Sequence, residues 1–137
     1  MAAAASVTAG SSFTCATTTS SGSPSTSYCW GLNSPNGQLG LGALTPATAL
    51  IPTSVTTPNN TFSKIVAGQT HSCGYDSTGA AYCWGNQLNG RLGNNNAAAG
   101  NISTIAQAGP TSPTVVLQNT LIFTAIDIIQ TTADGSQ

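Results

Sequence analysis

All four cysteines and both tryptophans of this chain lie in two copies of one sequence pattern. The first copy is FTCATTTSSGSPSTSYCWGL, from Phe13 to Leu32, and the second is HSCGYDSTGAAYCWGN, from His71 to Asn86. The same residue types recur in the same order, which indicates two copies of one structural unit that bury a common core by stacking on each other. We therefore predict a repeat protein.

The similarity between the two copies extends beyond the cysteines. VTAGSSFTC matches IVAGQTHSC, and YCWGLNSPNGQLG matches YCWGNQLNGRLG. The spacing between matching segments changes only across stretches rich in Ser, Pro, Asn and Gly, where surface loops tolerate insertions. The predicted segments are an N-terminal extension over residues 1–6, a first repeat over 7–65, a second repeat over 66–126, and a C-terminal segment over 127–137 that is the stub of a third repeat or an assembly strand.

Each repeat carries the pattern of antiparallel β-strands. FSKIVAG and HSCGY are rich in β-branched and aromatic residues, DSTG is a turn signal, and AAYCWG supplies a returning strand. No segment shows helical periodicity. The predicted fold class is therefore all-β.

The strand pattern predicts how the cysteines pair. When the second copy is folded into a hairpin about Thr78, Cys73 lies opposite Cys83, and Cys15 and Cys29 flank a longer loop in the same way. Opposite residues of an antiparallel pair have Cβ atoms about 4.5–5.5 Å apart, which approaches disulfide geometry. Four cysteines allow three pairings, and the repeat favours these two.

Persistent disulfides form outside the reducing cytosol, so this pairing predicts an extracellular or cell-surface protein.

A metal site is the alternative use of these residues. His71 and Cys73 point to the same face of one strand, with Cys83 opposite, but the sequence offers no fourth ligand and no C-x-x-C pair.

Charged residues make up only 4% of the chain, where about 25% is usual. Nucleic-acid binding needs clustered Lys and Arg, and the chain has one of each, so we predict no nucleic-acid partner.

Asn59 and Asn101 begin N-x-[ST] sequons and are predicted glycosylation sites, which suits a secreted chain. No apolar run reaches the ~20 residues of a spanning helix, so we predict no membrane span.

The pattern AGxxHSC, DSTGAAYCWGN, NGRLG and PTxV resembles the repeat of the regulator of chromosome condensation family, the unit of a seven-bladed β-propeller. The paired cysteines resemble a secreted, bacterial-type variant of that repeat. The resemblance implies that Trp30 and Trp84 pack between blades of the propeller. It also implies that His71 is a buried, hydrogen-bonded strand residue, whose place Phe13 takes in the first repeat.

The sequence contains few residues of the types that catalyse reactions, with one histidine and three acidic residues. The single histidine, His71, lies two residues from Cys73, and Asp76 belongs to a turn signal. A Ser–His–Asp set or a pair of carboxylates is therefore not indicated. We predict no enzymatic activity, no catalytic residue, no cofactor and no metal.

Two repeats are too few to close a seven-bladed ring, and a propeller-type repeat buries its faces only against neighbours. We therefore predict a structural or interaction protein that self-associates into a homo-oligomer or polymer, such as a fibre or surface polymer. One alternative is a protein-binding or carbohydrate-binding module whose sugar-facing aromatics are Tyr28, Trp30, Tyr82 and Trp84. A fragment of a GTPase exchange factor is a further alternative, which the scarcity of charge disfavours.

Overall fold

The protein forms two four-stranded antiparallel sheets in a computed structural model that describes residues 3–19, 25–56, 61–92 and 114–115. The first sheet consists of β1 (Ala3–Ala9), β2 (Phe13–Thr19), β3 (Ser27–Leu32) and β4 (Thr48–Ser54). The second consists of β5 (Phe62–Ala67), β6 (His71–Asp76), β7 (Ala81–Gly85) and β8 (Thr114–Val115). A single turn of 3-10 helix spans Leu88–Gly90.

In both sheets the strands lie side by side in the order in which they occur along the chain. Each sheet is therefore an up-and-down meander, and the predicted all-β, antiparallel fold class is confirmed. The second sheet begins at Phe62, so the repeat boundary predicted between residues 65 and 66 falls inside β5. The second sheet therefore starts before the predicted start of the second repeat at residue 66.

The hairpin between β6 and β7 is held by one carboxylate. Oδ1 of Asp76 accepts hydrogen bonds from the Thr78 amide at 2.8 Å, the Thr78 hydroxyl at 2.6 Å and the Ala80 amide at 3.1 Å. Gly79 supplies the positive φ that the turn requires, at 84°. Burial raises the pKa of Asp76, but the hydrogen bonds from Thr78, Ala80 and Tyr82 outweigh burial and bring the net pKa below its usual value.

The connection between β3 and β4 is organised by the side chain of Asn33, which is fully buried. Its Nδ2 donates to the carbonyl oxygens of Ala43 at 2.9 Å and Pro46 at 3.2 Å, and its Oδ1 accepts from the Leu39 amide at 3.4 Å. Three polar contacts from one side chain hold the connection against the sheet. Because the Leu39 amide is held in this way, the position of Gln38, the residue before it, is also fixed.

The main hydrophobic core lies between the two sheets. From the first sheet and its loops it contains Phe13, Cys15, Cys29, Leu39, Ala49 and Val55, and from the second sheet Phe62, Ile65, Ala67 and Trp84. A smaller cluster of Val66, Cys73, Cys83 and Leu92 lies on the other face of the second sheet. No helix among the described residues is long and apolar enough to cross a membrane.

Candidate functional site

The two disulfides join strands within each sheet. Cys15 lies directly opposite Cys29, and Cys73 directly opposite Cys83, with Cα atoms 4.1 Å apart in both pairs. The S–S distances are 2.05 Å and 2.09 Å. Both predicted disulfides are therefore present, and the alternative metal site loses its thiolates because Cys73 and Cys83 are bonded to each other.

Each sheet has two chemically distinct faces, because side chains alternate along a strand. One face, which we call the disulfide face, carries Phe13, Cys15, Thr17, Ser27 and Cys29 in the first sheet, and Val66, His71, Cys73 and Cys83 in the second. The other, the tryptophan face, carries Val7, Ala9, Thr14, Ala16, Tyr28 and Trp30 in the first sheet, and Ile65, Ala67, Ser72, Gly74, Tyr82 and Trp84 in the second.

The two sheets stack with unlike faces together. The disulfide face of the first sheet and the tryptophan face of the second contribute jointly to the main core, where Cys15, Cys29 and Trp84 are fully buried. The disulfide face of the second sheet forms the smaller cluster on its far side. The contact is therefore head-to-tail, since each sheet uses a different face toward its neighbour.

Trp84 is the centre of this inter-sheet contact. Its ring stacks on Phe62 with centroids 5.4 Å apart and an interplanar angle of 24°. Its Nε1 donates to the carbonyl oxygen of Gln38 at 3.0 Å, and the Ser72 hydroxyl donates to the same oxygen at 2.9 Å. The β3–β4 connection of the first sheet thus supplies the polar partner that a buried indole requires.

A row of hydrogen bonds borders the apolar contact. The Ala67 amide donates to Oγ1 of Thr8 at 3.0 Å, and the Ser11 hydroxyl donates to the carbonyl oxygen of Gln69 at 2.7 Å. Oγ of Ser27 accepts from the Phe62 amide at 3.4 Å. These contacts fix the position of one sheet along the other.

Phe13 and His71 occupy equivalent places, but their environments differ. Phe13 is buried between the sheets, whereas His71 is only partly buried. The buried Nδ1 of His71 has no hydrogen-bond partner among the described residues, while the His71 carbonyl accepts from the Gly68 amide at 2.8 Å. Burial, and secondarily the positive charge of Arg91, lower the pKa of His71 to about 4.

Trp30 lies on the tryptophan face of the first sheet and is partly buried, in contrast to the fully buried Trp84. Another residue of that face, Val7, is 63% exposed, while the equivalent Ile65 of the second sheet is 1% exposed. The same residue pattern is therefore covered in one sheet and open in the other.

A second exposed apolar feature lies on β4. Ala49 pairs with Gly31 and Thr53 pairs with Cys29, so the three residues between them on β4 face a single residue of β3 and bulge outward. In this bulge Leu50 is 89% exposed and Ile51 is 72% exposed. Sequence reasoning missed this feature, although TALIPTS contains an apolar pair next to a proline in a strand.

The groups considered for catalysis are not brought together. His71 and Asp76 lie on opposite faces of β6, and the Asp76 carboxylate is used by its own turn. Among the described residues no three of the types His, Cys, Asp and Glu are grouped as metal ligands. The predicted glycosylation sites Asn59 and Asn101, and the C-terminal segment 127–137, lie outside the described residues.

Four-stranded meanders that stack face to face, with an indole buried between them, define a repeat protein of the propeller type. Two family models, both described as the regulator of chromosome condensation (RCC1) repeat, match the chain at residues 27–75 and 62–91. The chain carries RCC1-type repeats.

Solved structures show the same fold. Prp20p from Saccharomyces cerevisiae, described with its binding to Gsp1p and histones, has a TM-score of 0.65 at 18% identity over 86% of this chain and 26% of its own. Yeast RCC1 (Prp20) bound to Kap60 has a TM-score of 0.66 at 22% identity, over 89% of this chain and 27% of its own. Human WBSCR16 has a TM-score of 0.61 at 18% identity, over 82% and 25%.

The chain therefore spans about a quarter of the length of these structural neighbours. A search of curated proteins found no match. The likeness establishes the fold, and the function must be argued from the faces of the sheets.

Proposed function

We propose that this chain is a non-enzymatic extracellular interaction protein that self-associates through the faces of its sheets. The observation that carries the proposal is the open tryptophan face of the first sheet, where Val7 is 63% exposed although the equivalent Ile65 is 1% exposed. Apolar positions that are buried in one copy of a repeat and open in the other mark a surface that a neighbour can cover.

The extracellular setting is supported by the two disulfides and by the scarcity of charge. The sequons at Asn59 and Asn101 belong to the same proposal. Intact-mass measurement of protein purified from a secreting host tests it directly. We expect two disulfides and a glycan mass that glycosidase removes; free thiols in that material would contradict the extracellular assignment.

A protein partner fits this surface better than a nucleic acid. The neighbouring structures are described in complex with or binding to other proteins, namely Gsp1p, histones and Kap60. In this chain the open face carries uncharged residues only, so it offers nothing to neutralise a phosphate backbone. Its apolar and hydroxyl groups suit another protein surface of the same kind.

Carbohydrate binding has narrower support. Trp84 is fully buried in the inter-sheet core, so it cannot stack on a sugar. Tyr28 and Trp30 remain partly exposed on the open face. A glycan array with the wild-type chain and Trp30→Ala tests this second use, and specific binding that Trp30→Ala abolishes would favour it over self-association.

The test of self-association is sedimentation velocity of the native chain over a wide range of concentration, with negative-stain microscopy of the same samples. We expect the mean mass to rise with concentration, and microscopy then distinguishes rings, fibres and small particles. A folded monomer at every concentration would overturn the proposal.

A further inference from the structure

The exposed large apolar side chains of this protein are concentrated on one of its two sheets. Among the described residues they are Val7, Leu32, Leu50 and Ile51, all in strands of the first sheet. Single exposed apolar residues scattered over a surface are ordinary, but a group confined to one of two equivalent sheets marks an interaction surface. The first sheet therefore carries an apolar surface that the second sheet lacks.

Strand geometry places most of this group on the tryptophan face of the first sheet. Val7 lies on that face, and Leu32 shares it because it follows Trp30 by two residues on β3. Ala49 belongs to the main core on the opposite face, so the next residue, Leu50, points to the tryptophan face, where it lies opposite Trp30. The exposed apolar residues thus extend across the face from β1 to β4.

The apolar pair on β4 is not part of the repeat pattern. Thr53 and Thr114 each pair with the second cysteine of their own sheet and are therefore equivalent. Counting back from them, Leu50 and Ile51 of the first repeat correspond to the polar pair Thr-Ser at residues 111–112 of the second. The repeat does not need apolar side chains at these positions, so their presence requires another explanation.

The first sheet is also free of charge. No charged side chain precedes Lys64 in the sequence, and the other charged residues that the structure describes, Asp76 and Arg91, lie in or after the second sheet. When two identical surfaces meet, each charge approaches charges of its own sign, and such juxtaposition is unfavourable. An uncharged apolar face has no such penalty and is therefore suited to contact with itself.

The other sheet faces within the described part of the chain are covered. The disulfide face of the first sheet and the tryptophan face of the second are buried against each other. On the disulfide face of the second sheet, Val66, Cys73 and Cys83 are each 5% exposed and Leu92 is 1% exposed. A second copy of the chain therefore offers one open apolar sheet face, which is again the tryptophan face of its first sheet.

Resting on the self-association proposed above, we propose that the tryptophan face of the first sheet docks on the same face of a second copy of this chain. Both copies use the same surface, so the contact is isologous and the two chains are related by a two-fold axis. Such a contact covers the open face of both partners at once. The assembly therefore closes at a dimer and does not grow into a filament.

The size of the face determines the strength of the contact. Four strands about 4.8 Å apart, each of about seven residues at ~3.3 Å per residue, give a flat face of roughly 400 Å² per copy. A standard stable interface buries about 800 Å² per partner, so this contact belongs with the small, transient interfaces. We expect a dimer that dissociates on dilution, which sets the experiment at micromolar to millimolar concentrations.

Sedimentation equilibrium over that range tests the stoichiometry. We expect the mean mass of the wild-type chain to rise with concentration and to level off at twice the mass of the chain. Continued growth beyond the dimer would overturn the isologous contact, although self-association would survive. A monomer at every concentration would mean that the proposed function itself fails, so the two failures are distinguishable.

A new charge at either edge of the face tests the location of the contact. We expect Val7→Asp on β1 and Leu50→Asp on β4 each to weaken dimerisation about tenfold or more, because the docked face excludes water around the new carboxylate. Both residues are exposed, so the fold should persist, which circular dichroism checks. A wild-type dimerisation constant in either variant would overturn the inference.

The matched control is Ser63→Asp, which adds the same charge at an exposed position of β5. The second sheet packs against the disulfide face of the first, so Ser63 lies on the side of the first sheet away from the proposed contact. We expect this variant to dimerise like the wild-type chain. An equal loss in Ser63→Asp would show that any added charge opposes association and would overturn the assignment to the tryptophan face.

Cross-linking tests the two-fold symmetry. Thr14 is partly exposed on β2, between Ala9 and Trp30 on the tryptophan face. A flexible bismaleimide should join Thr14→Cys to itself, because the same face of both copies meets in an isologous dimer, and should not join Ser63→Cys to itself. The native disulfides are buried, so the new thiol is the one that reacts. No Thr14→Cys cross-link among chains that dimerise would overturn the inference.

Discussion

At the residue scale, an aromatic ring lies over a glycine near the start of each repeat. A Cβ on Gly10 would lie 2.0 Å from the Phe13 ring, and a Cβ on Gly68 would lie 2.3 Å from the His71 ring. The amide of each glycine donates to the carbonyl of the ring residue, at 2.8 Å in both copies. The glycine and the aromatic residue three positions later thus form one closed turn, which explains why AG recurs before Phe13 and His71.

His71 makes the stability of the protein depend on pH. Its pKa is about 4 in the folded chain and about 6.5 in the unfolded one, so the unfolded state binds more protons between these values. The stabilisation is complete above pH 6.5 and is lost as the pH falls toward 4. We expect the free energy of unfolding by denaturant to decrease from pH 7 to pH 4.

The variant His71→Phe, which copies the residue at position 13, removes this group and should flatten the profile over that range. The lowered pKa of Asp76 contributes to acid loss only at lower pH, so it does not mask the effect. An unchanged pH dependence in His71→Phe would show that another group is responsible.

At the scale of elements, two glycines in the connections that follow β3 and β7 share a backbone conformation but face different surroundings. Gly40 and Gly90 both have φ of 69°. A Cβ on Gly40 would lie 2.7 Å from Nε1 of Trp84, whereas a Cβ on Gly90 would meet nothing within 4 Å. The first connection is packed into the inter-sheet contact, and its glycine is required by both backbone conformation and space.

A pair of alanine substitutions separates the two requirements. Gly90→Ala should cost about 1–2 kcal/mol of unfolding free energy, the price of a left-handed conformation with a side chain. Gly40→Ala should cost about 1–3 kcal/mol more, because Trp84 must also move. Urea unfolding followed by tryptophan fluorescence measures both, and equal losses in the two variants would contradict the packing described for Trp84.

At the scale of the whole molecule, stability depends on the contact between the two sheets. An isolated meander of this size has little core of its own, and most of the large buried side chains lie where the sheets meet. The two tryptophans, which are equivalent in sequence, therefore contribute differently: Trp84 is fully buried by the first sheet, whereas Trp30 packs against the main core but is only partly buried.

Truncating each tryptophan tests this asymmetry. Trp84→Ala should cost about 3–5 kcal/mol, because it leaves a cavity between the sheets and removes the donor to Gln38. Trp30→Ala should cost less than about 2 kcal/mol at concentrations where the chain is monomeric, since its side chain is only partly buried. Thermal unfolding at low concentration measures both, and equal costs would contradict the inter-sheet packing.

The sequence by itself determined the local structure of this protein. The hairpin about Thr78, the facing of Cys73 with Cys83 and the turn chemistry of Asp76 depend on neighbours along the chain, so residue type and spacing are enough to predict them. Only the tertiary structure decided which of two matching tryptophans is fully buried, which faces meet, and that Phe13 is buried where His71 is only partly buried. Those properties depend on whether another sheet lies against a face, and two nearly identical repeats carry no local signal for that difference.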